Sequence, residues 1–127
     1  MDDLVQYIIV RKDLVEKMGI GKTAAQVAHA SLGVLLDDNH KLIEDDNINK
    51  WLNGIFTKVV IYVKSKISLL NIVERLDKDG FRTKLIRDSC LTKLEPEENG
   101  TTLTCVGVIP IERDKVPNYI KKLRLLE

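Results

Sequence analysis

With 127 residues, 44% of them hydrophobic and 31% charged, the chain has the length of one domain and none of the composition of a disordered protein. A net charge of +1 hides a segregation of acids (Asp37, Asp38, Glu44, Asp45, Asp46) from bases (Arg82, Lys84, Arg87, Lys93), so net charge does not exclude a nucleic-acid partner. No apolar run approaches the ~20 residues that span a bilayer. The opening Asp2-Asp3 is unlike a targeting leader, and Cys90 and Cys105 lack CxxC spacing, so the expectation is a cytoplasmic protein in a reducing compartment with no membrane partner.

Val5 to Val10 is rich in β-branched and aromatic residues and predicts a largely buried strand. Arg11-Lys12-Asp13 ends it, and Gly19 and Gly21 mark a loop. From Lys22 the pattern is helical, with Ala24, Ala25, Val27, Ala28, Leu32, Leu35 and Leu36 as its apolar face. A second helical piece falls between Lys41 and Leu52, before the turn at Asn53-Gly54. Thr57 to Val63 reads as a strand, Ile67 to Leu76 as an amphipathic helix, and Phe81 to Ile86 as a short strand. The polar loop Arg87 to Gly100 is long enough to suspect function. Thr101 to Ile109 is a strand, and a short helix near Pro117 to Leu123 closes the chain, with Pro117 suited to its first turn. The order β-α-α-β-α-β-β-α predicts a single α/β domain over residues 1–127: a mixed, mostly parallel sheet with helices on both faces.

Gly21-Lys22-Thr23 looks like the tail of a phosphate-binding loop. The full pattern GxxxxGK[ST] needs a first glycine where this chain has Glu16, and the strand Val59 to Val63 runs into Lys64 without a metal-binding aspartate. The nucleotide reading fails, although a lysine at a helix start still suits an anion. Lys22, Gln26, His29 and Gly33 share one helix stripe, which is either a site wall or a solvated edge. No second histidine or cysteine lies at a ligand spacing from His29, so no metal site is expected. The second cluster, Arg87-Asp88-Ser89-Cys90-Leu91-Thr92-Lys93, follows a strand, where sites of α/β sheets gather. Asp88 is either a site carboxylate or a turn residue bonding its own backbone. A Cys90 nucleophile would need a base, for which His29 is the candidate.

Together these segments resemble the archaeal and eukaryotic type (type 2) of peptidyl-tRNA hydrolase. The likeness is carried by VRKDL, MGIGKTAAQVAHA, Trp51, KVVIYVKS, DKDGF, LIRDSCLTKLEP, and the closing strand with Gly107 and Pro110. It implies a cofactor- and metal-independent esterase that cleaves the bond joining a nascent peptide to tRNA, on an α/β/α fold in which homodimers are frequent. It also implies catalytic roles for Lys22, Asp88 and Thr92, and substrate contacts from Gln26 and His29. Gly21, Lys17, Arg87 and Lys93 join them as candidate substrate-binding residues, with Arg11, Lys12, Arg82 and Lys84 as further phosphate grips.

The chain departs from the family pattern in the second cluster. Asp-Ala-Gly becomes Asp88-Ser89-Cys90, Lys93 replaces a neutral amide, and the Pro-Gly turn is stretched over Pro96 to Gly100. Loss of a glycine there predicts a changed loop path. The alternative reading is therefore a non-catalytic relative that binds tRNA or protein on the same fold.

Overall fold

A computed structural model describes residues 3–127. The elements are β1 (Leu4–Arg11), α1 (Lys12–Gly33), α2 (Asp46–Asn53), β2 (Lys58–Val63), α3 (Lys66–Lys78), β3 (Thr83–Asp88), β4 (Thr102–Val108), β5 (Ile111–Glu112) and α4 (Asn118–Lys121). One turn of 3-10 helix, Arg113–Lys115, precedes α4. Among the described residues no helix is long and apolar enough to cross a membrane.

The sheet order is β2-β1-β4-β3, with β5 also paired to β1. The α/β class and the mixed sheet agree with the sequence reading, but the expectation of mostly parallel strands does not hold. Among the described residues only β1 and β2 pair in parallel; β4 is antiparallel to both β1 and β3, and β5 is antiparallel to β1. The cause is topological. The strands β1, β2 and β3 run in one direction, as β-helix-β units require. The chain then returns from β3 without a helix, and β4 inserts between β1 and β3, replacing one parallel neighbour with two antiparallel ladders.

Alternation along the strands sorts the core into two layers. Val5 and Ile9 of β1, Ile61 and Val63 of β2, and Val106 and Val108 of β4 pack on Leu69, Val73 and Leu76 of α3 and Ile120 of α4. Ile8, Val10 and Cys105 point the other way, onto Ala30 of α1. Burial of this kind contributes roughly 1.5–3 kcal/mol per large side chain. A polar clasp sits inside the second layer: Gln6 Nε2 donates to the Ser31 carbonyl (2.9 Å), and the Ser31 hydroxyl donates back to Gln6 Oε1. Both ends of the amide are satisfied, so its burial carries little penalty.

The loop expected at Gly19 and Gly21 shrinks to one residue. Lys12–Met18 is already helical, and only Gly19 (φ 75°) breaks the geometry before α1 resumes. Two breakers so close together read as a loop in sequence, yet Gly21 is helical and only Gly19 uses the left-handed freedom glycine provides. The second helix begins later than expected, at Asp46, because Asp45 caps it through Ile48 N (3.0 Å). The preceding residues fold as a turn in which Asp37 Oδ1 accepts from the backbone of Asn39 and Lys41. Trp51 is buried, its ring N–H donating to the Thr57 carbonyl (2.9 Å) as the chain enters β2.

Candidate active site

Because β1, β2 and β3 point the same way, their C-terminal ends share one edge of the sheet, and the chemistry-bearing residues collect there. Asp88 is the last residue of β3, one residue beyond a register shift at Ile86/Arg87. Such bulges re-aim side chains and are frequent beside sites. The residues after the Gly19 kink start a fresh helical turn, which places Lys22 on the face turned toward β3. Lys22 Nζ lies 3.1 Å from Asp88 Oδ2, with both side chains nearly buried (13% and 10% exposed). The same ammonium donates to the Thr92 carbonyl (2.7 Å) and to Thr92 Oγ1 (3.1 Å). The sequence reading of two distant segments meeting at one sheet edge therefore holds as geometry.

Asp88 Oδ2 also accepts from the Cys90 N–H (2.9 Å), so the turn reading of this residue is true together with the ion pair. No hydrogen bond engages Oδ1 among the described residues. The Lys22 ammonium, by contrast, has three acceptors for its three donors. A substrate oxygen reaching it would have to displace one of them.

The loop that presents Thr92 is pinned to the end of β1 and the first half of α1 at three points. Leu94 is buried against Leu14 and Met18. Lys93 Nζ donates to the Met18 carbonyl (3.2 Å), beside the kink at Gly19. Arg11, 4% exposed, donates to both oxygens of Glu97 (2.8 and 3.2 Å), to Asp13 and to the Leu103 carbonyl. Burial disfavours its charge, but the bonds and charges of Asp13 and Glu97 outweigh this and hold the guanidinium above its ordinary pKa. Arg11 is thus a structural cation and not a phosphate grip. Arg82 is also withdrawn, donating to the carbonyls of Val34 and Leu36 at the end of α1.

The expected stripe on α1 does not form one wall. Gln26 is buried, its Oε1 accepting from Thr104 (2.6 Å) while its Nε2 carries no hydrogen bond among the described residues. His29 is exposed, and Gly33 packs near Lys84 and Ile86. No Cys90–His29 pair forms: the Cys90 thiol is directed to Thr102 Oγ1 (3.3 Å) and to the Asp88 carbonyl (3.5 Å). Cys105 is buried, and burial pushes its thiol up to about 12, which leaves it inert. Lys17 and Gly21 are exposed, Lys17 with no side-chain hydrogen bond or ion pair among the described residues, and Arg87 faces Glu98 at 4.0 Å, a carboxylate it shares with Lys66. Exposed pairs of this kind add little stability. Three features escaped the sequence reading. Ile20 and Leu91, neighbours of the pair along the chain, are 91% and 87% exposed, and the Thr23 hydroxyl is buried without a hydrogen-bond partner among the described residues.

The altered loop keeps the backbone a glycine would favour. Cys90 stands at φ 61°, in the left-handed region. A non-glycine residue there costs about 1 kcal/mol. Cys90→Gly is expected to stabilise the protein by about 1 kcal/mol in denaturant unfolding and to leave the bond from the residue-90 N–H to Asp88 in place. A loss of stability would mean that the thiol contacts outweigh the strain.

The fold and these contacts define a small α/β protein with a lysine–carboxylate–threonine cluster on the strand-end edge of its sheet. A family model, "Peptidyl-tRNA hydrolase PTH2", matches residues 4–126. A peptidyl-tRNA hydrolase of Methanococcus vannielii is 40% identical over 121 residues, which are 95% of this chain and 97% of that relative. Peptidyl-tRNA hydrolases of Methanococcus maripaludis strain C6 (39%) and Methanothermobacter thermautotrophicus (38%) match over 95% of this chain and 97% and 98% of their own lengths. A solved structure of a protein of unknown function from Agrobacterium tumefaciens strain C58 superposes with a TM-score of 0.53 at 16% identity, covering 100% of both chains, which is a likeness of fold. The chain belongs to the peptidyl-tRNA hydrolase PTH2 family.

Proposed function

We propose that the protein hydrolyses peptidyl-tRNA and that Lys22, Asp88 and Thr92 do the work. The observation that carries the assignment is the 3.1 Å contact between Lys22 and Asp88, made across about half of the chain by two largely buried side chains. In this reading Asp88 Oδ1, the oxygen left without a bond, orients a water against the ester carbonyl. The water oxygen bonds to the carbonyl carbon, negative charge develops on the carbonyl oxygen, and the ribose oxygen departs with a proton. The products are a peptide carboxylic acid and tRNA with a free terminal hydroxyl. Lys22 stabilises the developing oxyanion once that oxygen displaces Thr92 Oγ1, leaving the shorter bond to the Thr92 carbonyl to keep the ammonium aimed.

In this reading Gln26 offers its Nε2 to the substrate, and His29, Gly21, Lys17 and Arg87 are assigned further substrate contacts. Lys93 contributes by holding the loop to the kink. Ile20 and Leu91 supply apolar surface without side-chain hydrogen bonds, which suits a substrate class containing many different peptides. The alternative, a binding relative without activity, gains no support: Asp88 and Thr92 reach Lys22 despite the departures between them. The reading carries with it a cytoplasmic location and a homodimer, to be checked by fractionation and by sedimentation.

The test is release of tRNA from an N-blocked aminoacyl-tRNA, followed with and without chelator. Release that chelator leaves unchanged is expected; binding without release would transfer the protein to the non-catalytic class.

A further inference from the structure

We propose that a basic groove at the β2 edge of the sheet is a second binding site for the phosphate backbone of the substrate's polynucleotide. This rests on the esterase reading for the identity of the ligand, but its evidence is separate.

The groove, of about 580 Å³, lies between the end of β2, the outer side of α3 and the chain after α4. Lys64, Arg75, Lys122 and Arg124 line it together with the amide of Asn71, and none of its lining residues is acidic. A smaller depression that shares Arg124 continues around the edge to Lys12, which sits 4.4 Å above the ring of Tyr62; its single acid is Glu127. In a chain of net charge +1 this is a concentrated positive surface.

The state of these cations separates them from the paired or internally bonded cations around the proposed catalytic residues. Arg11, Arg82 and Lys93 spend their donors on internal carbonyls and carboxylates, Lys22 is held by Asp88 and Thr92, and Lys66 and Arg87 share Glu98. Lys64, Lys122 and Arg124 have no side-chain hydrogen bond or ion pair among the described residues, and Arg75 is only stacked on the Tyr119 ring at 4.3 Å. Their donors are therefore available to a ligand, and a row of ammonium and guanidinium groups beside a neutral amide matches phosphate oxygens.

The fold relates this groove to the ester-cleaving pocket. Val63 and Asp88 end β2 and β3, two strands of the same direction, so both sites open on the same sheet edge. Those strands are three places apart in the order β2-β1-β4-β3, about 15 Å at the usual strand spacing. A stacked strand rising roughly 3.4 Å per nucleotide crosses that distance in about four nucleotides. An ester on a lone adenosine cannot reach the groove, whereas tRNA can.

The test compares wild type, the triple variant Lys64→Gln/Lys122→Gln/Arg124→Gln, and a control with the same charge loss elsewhere, Lys41→Gln/Lys50→Gln/Lys115→Gln. Binding of uncharged tRNA is measured between 50 and 200 mM salt, and hydrolysis is followed on N-blocked aminoacyl-tRNA and on the same acyl group esterified to adenosine. Removing three phosphate contacts is expected to flatten the salt dependence, so that wild type loses roughly 20- to 40-fold more affinity over this range than the groove variant. KM for the tRNA substrate should rise, with hydrolysis of the adenosine ester unaltered. An unchanged salt slope in the groove variant, an equal change in the control, or no tRNA binding by wild type would overturn the proposal. Failure of wild type to cleave either ester would defeat the esterase reading alone, because binding of uncharged tRNA is read independently.

Discussion

Asp88→Asn lowers kcat for tRNA release by a hundredfold or more, and Lys22→Ala does the same, while both variants stay folded. The expectation follows from what each change removes. Asparagine keeps the shape and still accepts from the Cys90 N–H, but it loses the charge that orients water and pairs with the ammonium. Positioned acid–base and oxyanion-stabilising groups typically contribute between about 10² and 10⁴ in rate. The Lys22 and Asp88 side chains are only 13% and 10% exposed, so their interaction is screened less than that of a surface pair. Steady-state assays on N-blocked aminoacyl-tRNA, with unfolding curves to show intact folds, check the result. Near-normal turnover in either variant would remove that residue from the catalytic role.

Gly107→Ala is the second large effect, and it acts on stability. Gly107 sits in β4 directly under α1, and a Cβ there would overlap the Ala30 carbonyl, a backbone atom that no rotamer change can move. The helix must lift from the sheet or the strand must bend, against a layer in which Ala30, Ile8, Val10 and Cys105 are all fully buried. We expect a loss of about 3 kcal/mol or more, near the upper end for overpacking. For a domain of this size that is a fall in Tm of about 10 °C or more. Because α1 also carries Lys22, residual folded protein should be slow as well. A variant within about 1 kcal/mol of wild type would show that the helix–sheet approach is looser than described.

Much of this architecture was legible in the chain, for identifiable reasons. The strands announced themselves as β-branched runs, and α1 beyond Lys22 as a helical pattern of alanines. The two halves of the site could be placed together because lysine and aspartate each follow a strand of the same direction. What escaped were features decided by distant partners. The insertion of β4 between β1 and β3 depends on pairing across the sheet, which no local pattern encodes. The two-residue β5 is too short to carry a period. Arg11 ends a strand and looks like a surface base, yet its partner Glu97 lies 86 residues away. Cys90 looked like a lost glycine, but its own N–H bond to Asp88 keeps the left-handed turn. The basic groove draws on β2, α3 and the C-terminal segment, so none of its cations stands out in sequence.

The central claim is that Lys22 and Asp88 act as one unit across the pocket. A double-mutant cycle on kcat tests it most directly, comparing Lys22→Ala, Asp88→Ala and the double variant. If the pair is a unit, the double variant is about as slow as the slower single variant. If the two losses multiply, the residues act independently and the account of the site is wrong.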